Sequence, residues 1–232
     1  MGIVYIIGAG PGAADLITVR GARLLRKADV VLYDALITNE LLMLCPKAKH
    51  IFVGKRFKKH SIAQYIINRI IVKCAFKYNL VVRLKGGDPM LFGRTDEELN
   101  ALKKYNIKVK VIPGITAALA AASESKQSLT KRNISRSVVL FTSSTMLKNN
   151  YLKNIPISDT LVEYMGGNNI FLTAKKLLKL GFLPTTPVIV VENCSLSNQK
   201  ITRLILLDLK KKIFQFEKPV LFMIGKSLKS HY

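Results

Sequence analysis

Two α/β domains in series are what this sequence predicts, and three observations predict them. The first half alternates short apolar runs with stretches of helical spacing, the pattern of a mostly parallel sheet flanked by helices. The second half carries more strand-like runs, interrupted by one clear helix, which suits a mixed sheet. Pro113-Gly114 stands between the halves as the best boundary, giving domains over 1–113 and 114–232.

The elements follow in order. Ile3 to Ile7 is a buried strand that ends in the glycine turn Gly8-Ala9-Gly10-Pro11-Gly12. Leu16 to Ala28 has helical spacing, with Leu16, Val19, Ala22, Leu24 and Leu25 near one face and Asp15 as its cap. Val30 to Tyr33 is a second strand, closed by Asp34. His60 to Phe76 reads as a helix that turns Ile66, Ile67, Ile70, Ile71 and Cys74 inward. Leu80 to Leu84 is a strand, and Thr95 to Glu98 reads as a capping box that opens a helix to about Tyr105. Lys108 to Ile112 is a strand stopped by Pro113-Gly114, and the alanine-rich Thr116 to Ala122 reads as a helix. Strands are expected over Ser137 to Thr142, Thr160 to Met165, Val188 to Glu192, Ile201 to Leu207 and Pro219 to Ile224. The helix Ile170 to Leu180 lies among them, capped by Asn168 or Asn169.

Composition narrows the function classes. With 49% hydrophobic residues in 232, the chain has enough apolar material for a core, which argues against disorder. No apolar run reaches the ~18 residues of a membrane span. No basic segment followed by a cleavage site opens the chain, so no secretory leader is expected. Cys45, Cys74 and Cys194 form no close pair, and His50, His60 and His231 are scattered. That pattern argues for a reducing, cytoplasmic compartment, against a disulfide framework and against a metal site. The net charge of +23 fits either a polyanionic partner or compositional drift. Lysines outnumber arginines 27 to 10 and are dispersed along the chain, which favours drift and makes a nucleic-acid partner unlikely.

The most informative segment is Arg83-Leu84-Lys85-Gly86-Gly87-Asp88-Pro89-Met90-Leu91-Phe92-Gly93-Arg94. A core strand does not continue through Gly-Gly-Asp-Pro, and a solvent loop seldom goes on to Met-Leu-Phe. The combination reads as backbone that approaches a ligand, with charged side chains aimed at the same place. The glycine turn is ambiguous by itself. Gly8, Gly10 and Ala13 fit a dinucleotide fingerprint, and Asp34 stands where a ribose-binding acid would. A nicotinamide-dependent oxidoreductase is therefore one reading, weakened by Pro11, which removes an N–H that a pyrophosphate would use.

Taken together, the segments point elsewhere. Gly8 to Gly12, Tyr33-Asp34-Ala35-Leu36, Val53-Gly54-Lys55-Arg56, Arg83 to Arg94 and Pro113-Gly114-Ile115-Thr116-Ala117 occur in this order, followed by Tyr164-Met165-Gly166 and Pro187 to Asn193. The series resembles the tetrapyrrole methylase family over essentially the whole chain, and within it the uroporphyrinogen-III C-methyltransferases. The resemblance implies two α/β domains with S-adenosylmethionine in the cleft between them, and a homodimer. It implies that the cofactor touches Pro11, Gly86, Gly87, Asp88, Leu91, Thr116, Ala117, Met165, Asn168 and the segment at Cys194, and leaves as S-adenosylhomocysteine. It implies C-methylation of uroporphyrinogen III to precorrin-2, feeding sirohaem or cobalamin synthesis. Asp34 would be the proton acceptor and Lys55 a donor. Arg83 and Arg94 would bind the carboxylates of the tetrapyrrole, with Glu97 orienting Arg94. Alternatives inside the family are a later corrin methyltransferase or one acting on ribosomal RNA.

The chain departs from the family pattern at four places. Ala13 stands where an acid is common, Lys126 to Arg132 replaces Gly-Ile-Pro-Leu-Thr-His-Arg, Ser143-Ser144 replaces Gly-His, and Cys194 replaces glycine. A positive φ at Cys194 would be strained.

Overall fold

The computed structural model describes residues 1–54, 63–143, 155–211 and 214–229. Its backbone divides into two compact units, Met1–Thr116 and Ala117–Tyr232.

The first unit is a five-stranded sheet built from β1 (Ile3–Gly8), β2 (Val30–Tyr33), β3 (Lys49–Phe52), β4 (Leu80–Lys85) and β5 (Val109–Ile112). The order is β3-β2-β4-β1-β5, and every pairing is parallel. Alternation along the strands sends side chains to two faces. On one face Val4, Ile6, Val30, Leu32 and Val81 pack against Ile67, Ile71 and Cys74 of α3 (Gln64–Lys77) and Leu102 of α4 (Thr95–Lys103). On the other, Ile7, Val31, Val82 and Leu84 meet Leu25 of α1 (Val19–Leu25) and Leu41 of α2 (Asn39–Leu42). The connection leaving β1 therefore goes to one face and that leaving β4 to the other. Neighbouring strands whose connections part in this way leave a crevice at their carboxyl ends, where α/β sheets bind ligands.

Four features of this unit differ from what the sequence predicts. The first helix does not start at Leu16 under Asp15. Asp15 sits in a separate 3₁₀ turn (Ala14–Leu16), Ile17 is extended, and the Thr18 hydroxyl caps the helix by accepting the Gly21 N–H at 3.1 Å. Strand β3 and helix α2 were not expected. The first is a half-polar edge strand with two exposed residues, and the second has only four residues, so neither leaves a periodic signal. No capping box opens α4. Arg94 occupies the N-cap in the left-handed region, Thr95 is already helical, and its hydroxyl donates to the Pro89 carbonyl. Ile66 faces solvent rather than the core.

The second unit holds a mixed sheet of order β6-β7-β10-β8-β9. Its strands are β6 (Val138–Thr142), β7 (Thr160–Tyr164), β8 (Pro187–Glu192), β9 (Lys200–Ile205) and β10 (Val220–Gly225). Only the β6–β7 pair is parallel. Phe222, Ile224, Val188 and Val190 pack with Ile170, Ala174 and Leu177 of α6 (Ile170–Lys179) and with Leu206 and Leu209 of α7 (Leu206–Leu209). The alanine-rich α5 (Ala117–Glu124) packs near β10, where Ala118 and Ala121 are fully buried. The strand expected to run to Leu207 ends at Ile205, because the Asp208 carboxylate accepts the Ile205 N–H and turns the chain into α7. Asn169 takes the N-cap position of α6, yet its side chain makes no cap bond and donates to the Ser143 carbonyl instead.

Candidate functional site

At the carboxyl edge of the first sheet the loops after β1, β4 and β5 lie backbone to backbone. A Cβ on Gly8 would stand 2.6 Å from the Gly114 Cα and 2.7 Å from the Gly87 carbonyl oxygen. A Cβ on Gly114 would stand 2.3 Å from that same oxygen, and one on Gly86 would overlap Leu36 at 2.7 Å. Gly10 and Gly87 form a two-residue antiparallel bridge, with the Gly87 N–H donating to Gly10 at 2.6 Å. Gly8, Gly86 and Gly114 thus serve loop packing. Gly87 differs, with φ +67° and open space where a Cβ would lie, so it presents bare backbone outward.

Asp88 fixes this arrangement. Its Oδ1 accepts the Met90 N–H at 2.8 Å and its Oδ2 accepts the Gly114 N–H at 3.0 Å. The acid therefore joins the β4 loop to the β5 loop. Pro11 and Leu91 are partly exposed on the same loops, and Thr116 ends the unit.

Asp34 lies just past β2. Its Oδ1 accepts the Leu36 N–H at 3.1 Å, its Oδ2 lies 3.5 Å from the Arg83 guanidinium, and 24% of the side chain is exposed. Arg83 itself is buried. It donates to the Leu84 carbonyl at 2.8 Å and to Glu98 Oε1 at 3.1 Å. Lys85, two residues along β4 and so on the same face, donates to Glu98 Oε2 at 3.0 Å and to the Gly93 carbonyl. Burial lowers the Lys85 pKa, and the Glu98 carboxylate partly opposes that. One buried carboxylate thus balances two buried cations, and through Arg83 and Gly93 it anchors Asp34 and the β4 loop together.

Arg94 and Glu97 are different in kind. Arg94 is exposed, and its guanidinium makes a two-pronged contact with Glu97 at 2.6 and 2.8 Å. Arg83 and Asp34 are brought together, Arg94 and Glu97 are brought together, and Lys55 lies outside the described residues. Read from the sequence, Lys85 has no role of its own and Glu98 only that of a capping box, although the alternation Val81-Arg83-Lys85 on a buried strand was a signal that both cations needed an internal acid.

In the second unit, Met165 ends β7 in the left-handed region and is 53% exposed. The preceding Tyr164 hydroxyl accepts the Ala118 N–H of α5 at 2.9 Å. A 3₁₀ turn, Gly166–Asn168, follows. Cys194 is buried, which pushes its thiol up to about 11. The left-handed conformations near it fall on Asn193 and Ser195, so Cys194 occupies the glycine position without a positive φ. Among the described residues no three His, Cys, Asp or Glu side chains cluster to hold a metal, and no helix is long and apolar enough to cross a membrane.

The fold and this edge define an α/β protein that presents bare backbone, an acid and an exposed arginine where such sheets bind ligands. Its family is known. The chain matches the Tetrapyrrole (Corrin/Porphyrin) Methylases over residues 3–209 and belongs to that family. A siroheme synthase from Psychrobacter arcticus is 40% identical to it, over all of this chain and 43% of the relative. The chain thus spans about half the length of the curated relatives it matches. A crystal structure of uroporphyrin-III C-methyl transferase from Thermus thermophilus, complexed with S-adenosylhomocysteine, superposes with a TM-score of 0.85 at 33% identity, covering 98% of this chain and 94% of that one. A cobalt precorrin-4 methyltransferase of cobalamin biosynthesis superposes with a TM-score of 0.83 at 26% identity, over 98% and 96%.

Proposed function

We propose that this chain is an S-adenosylmethionine-dependent C-methyltransferase that converts uroporphyrinogen III to precorrin-2 by two methyl transfers. The observation that carries the reading is the likeness, over nearly the whole chain, to a uroporphyrin-III C-methyl transferase holding S-adenosylhomocysteine. The residues fit such a cofactor: Gly87 offers open backbone in the first unit, and Met165 an exposed left-handed turn in the second. In the first unit Pro11, Gly86, Gly87, Asp88, Leu91 and Thr116 would contact it, with Ala117, Met165, Asn168 and Cys194 in the second. Asp88 acts mainly by ordering the loop, since each of its oxygens already accepts a backbone amide.

When bound, the cofactor supplies an electrophilic methyl group, and the protein's task is positioning. A pyrrole carbon would accept that methyl group, with S-adenosylhomocysteine as the leaving group, and the methylated macrocycle would then give up a proton. Asp34 takes that proton. Its contact with Arg83 aims it, and its partial exposure lets the proton leave. Arg94 binds a substrate carboxylate in exchange for, or beside, Glu97, as an exposed guanidinium does well. Arg83, being buried, contributes to substrate binding through the charge it holds behind Asp34. Lys55 remains a proposed donor. The protein works as a homodimer in the cytoplasm, where its three buried thiols stay reduced. The likeness to a cobalt precorrin-4 methyltransferase favours one second reading, a later corrin precursor as substrate.

The test is anaerobic incubation with uroporphyrinogen III and methyl-labelled S-adenosylmethionine, followed by the mass of the extracted tetrapyrrole. Two added methyl groups are expected. No transfer despite cofactor binding rejects this substrate and turns attention to later corrin precursors. Asp34→Asn is expected to lower the rate about 10²- to 10⁴-fold while leaving cofactor affinity intact.

A further inference from the structure

Glu163 is the one charged residue in the strand β7, and it is completely buried. Its Oε1 accepts the Thr173 hydroxyl of α6 at 3.1 Å and the Ser143 hydroxyl beyond β6. Its Oε2 has no partner among the described residues. A Cβ on Gly166 would stand 2.5 Å from Oε1, so the carboxyl group lies directly under the turn that follows Met165. Ser143 is also bound through its carbonyl by Asn169 at 3.4 Å, which closes a ring of contacts around the turn. Ser143 is one of the departures from the family pattern, and the hydroxyl it brings is a donor to this acid.

Among the described residues, the groups facing Glu163 are Phe141 and Ser143 on the β6 side, Phe222 across β10, Thr173 on α6 and Gly166 of the turn. Among the described residues the charged group by the turn is Lys218, whose stem lies 3.5 Å from where a Gly167 Cβ would be. Two hydroxyls and an apolar sheet face solvate a carboxylic acid adequately and a carboxylate poorly. Burial pushes Glu163 up to about 7, against the pull of Ser143 and Thr173. With the folded value raised above the ordinary one, the native state binds more protons between about 4.5 and 7, and stability falls as the pH rises through that window.

We propose that Glu163 is a protonation-dependent positioning residue: as the neutral acid it seats the Met165–Asn168 turn, and as the carboxylate it loosens that turn and weakens binding of the nucleoside cofactor. The inference rests on the reading of Met165 as a cofactor contact, but the behaviour of the turn is measurable without any ligand.

Hydrogen exchange of the amides from Met165 to Asn169, corrected for intrinsic base catalysis, is followed from pH 5.5 to 8.5 in the wild type, Glu163→Gln and Ser143→Ala. Protection is expected to fall across the neutral range in the wild type and to be flat in Glu163→Gln, whose side chain cannot ionise. Ser143→Ala removes a donor to the carboxylate, so its midpoint moves to higher pH. In parallel, calorimetric binding of S-adenosylhomocysteine is expected to weaken about tenfold with rising pH in the wild type, at higher pH in Ser143→Ala, and not at all in Glu163→Gln. A flat wild-type exchange profile, or the same profile in Glu163→Gln, overturns the proposal. A turn that switches in a protein binding no S-adenosylhomocysteine at any pH supports the switch and overturns the cofactor reading instead.

Discussion

Replacing Glu98 by glutamine removes the single negative charge that Arg83 and Lys85 share, while keeping the shape of the side chain. The separations are 3.1 and 3.0 Å, and the three side chains are 0%, 5% and 5% exposed, so water screens almost nothing. Breaking a buried pair from one side costs about 3–5 kcal/mol. Here one acid serves two cations, but Arg83 keeps its 3.5 Å contact with Asp34, so the expected loss lies within that range rather than above it. The loss is bounded, because Lys85 can shed its proton. Burial already lowers its pKa, and without Glu98 it falls further. The unfolded state then binds more protons than the native state up to about 10.5, so the deficit of the variant shrinks as the pH rises toward that value. Urea denaturation at pH 7 is the assay, with the midpoint falling at an unchanged slope. In a unit ending at Thr116, the same loss corresponds to a melting temperature lower by about 10–20 °C. Glu97→Gln is the control, since its exposed pair with Arg94 is worth under about 1 kcal/mol. If Glu98→Gln lies within about 1 kcal/mol of the wild type at pH 7, the two cations are not compensated by this acid and the argument fails.

Two further outcomes follow from the loops. Gly8→Ala forces a methyl group into the Gly114 backbone and the Gly87 carbonyl and is expected to destabilise by about 1–3 kcal/mol, read from the urea midpoint. Gly87→Ala meets no atom and carries only the strain of φ +67°, so it loses about 1 kcal/mol while weakening cofactor binding; equal losses in stability would sink the packing argument. Arg94→Ala is expected to leave the melting temperature nearly unchanged and to raise KM for the tetrapyrrole about 10- to 100-fold, as loss of a charged hydrogen bond does. Unaltered KM would remove Arg94 from substrate binding.

The alternation of apolar runs and helical stretches was enough to read α/β in both halves, because strands buried on both faces need continuous Val, Ile and Leu whatever their neighbours. Glycine clusters, the acid at the end of β2 and the cations of β4 marked the candidate site, and the structure puts these segments at the carboxyl edge of the first sheet. The exposed edge strand β3 was not legible, since a half-polar strand is recognised only by its partner. Neither was the fate of each charge. Arg83 and Arg94 look alike in the chain, yet one is buried against Glu98 and the other points to solvent, because β4 alternation turns Arg83 toward α4 while a left-handed residue turns Arg94 away. Glu98 reads as half of a capping box until the sheet behind it presents two cations, and the stronger electrostatic demand wins. Glu163 likewise reads as one acid in a strand. Only folding supplies the two hydroxyls, the glycine turn above it and an Oε2 with no partner among the described residues. Local pattern thus determined most of the elements and the types of residue at the candidate site. Tertiary structure decided which charges were desolvated and which paired, because desolvation depends on neighbours that are distant in the sequence.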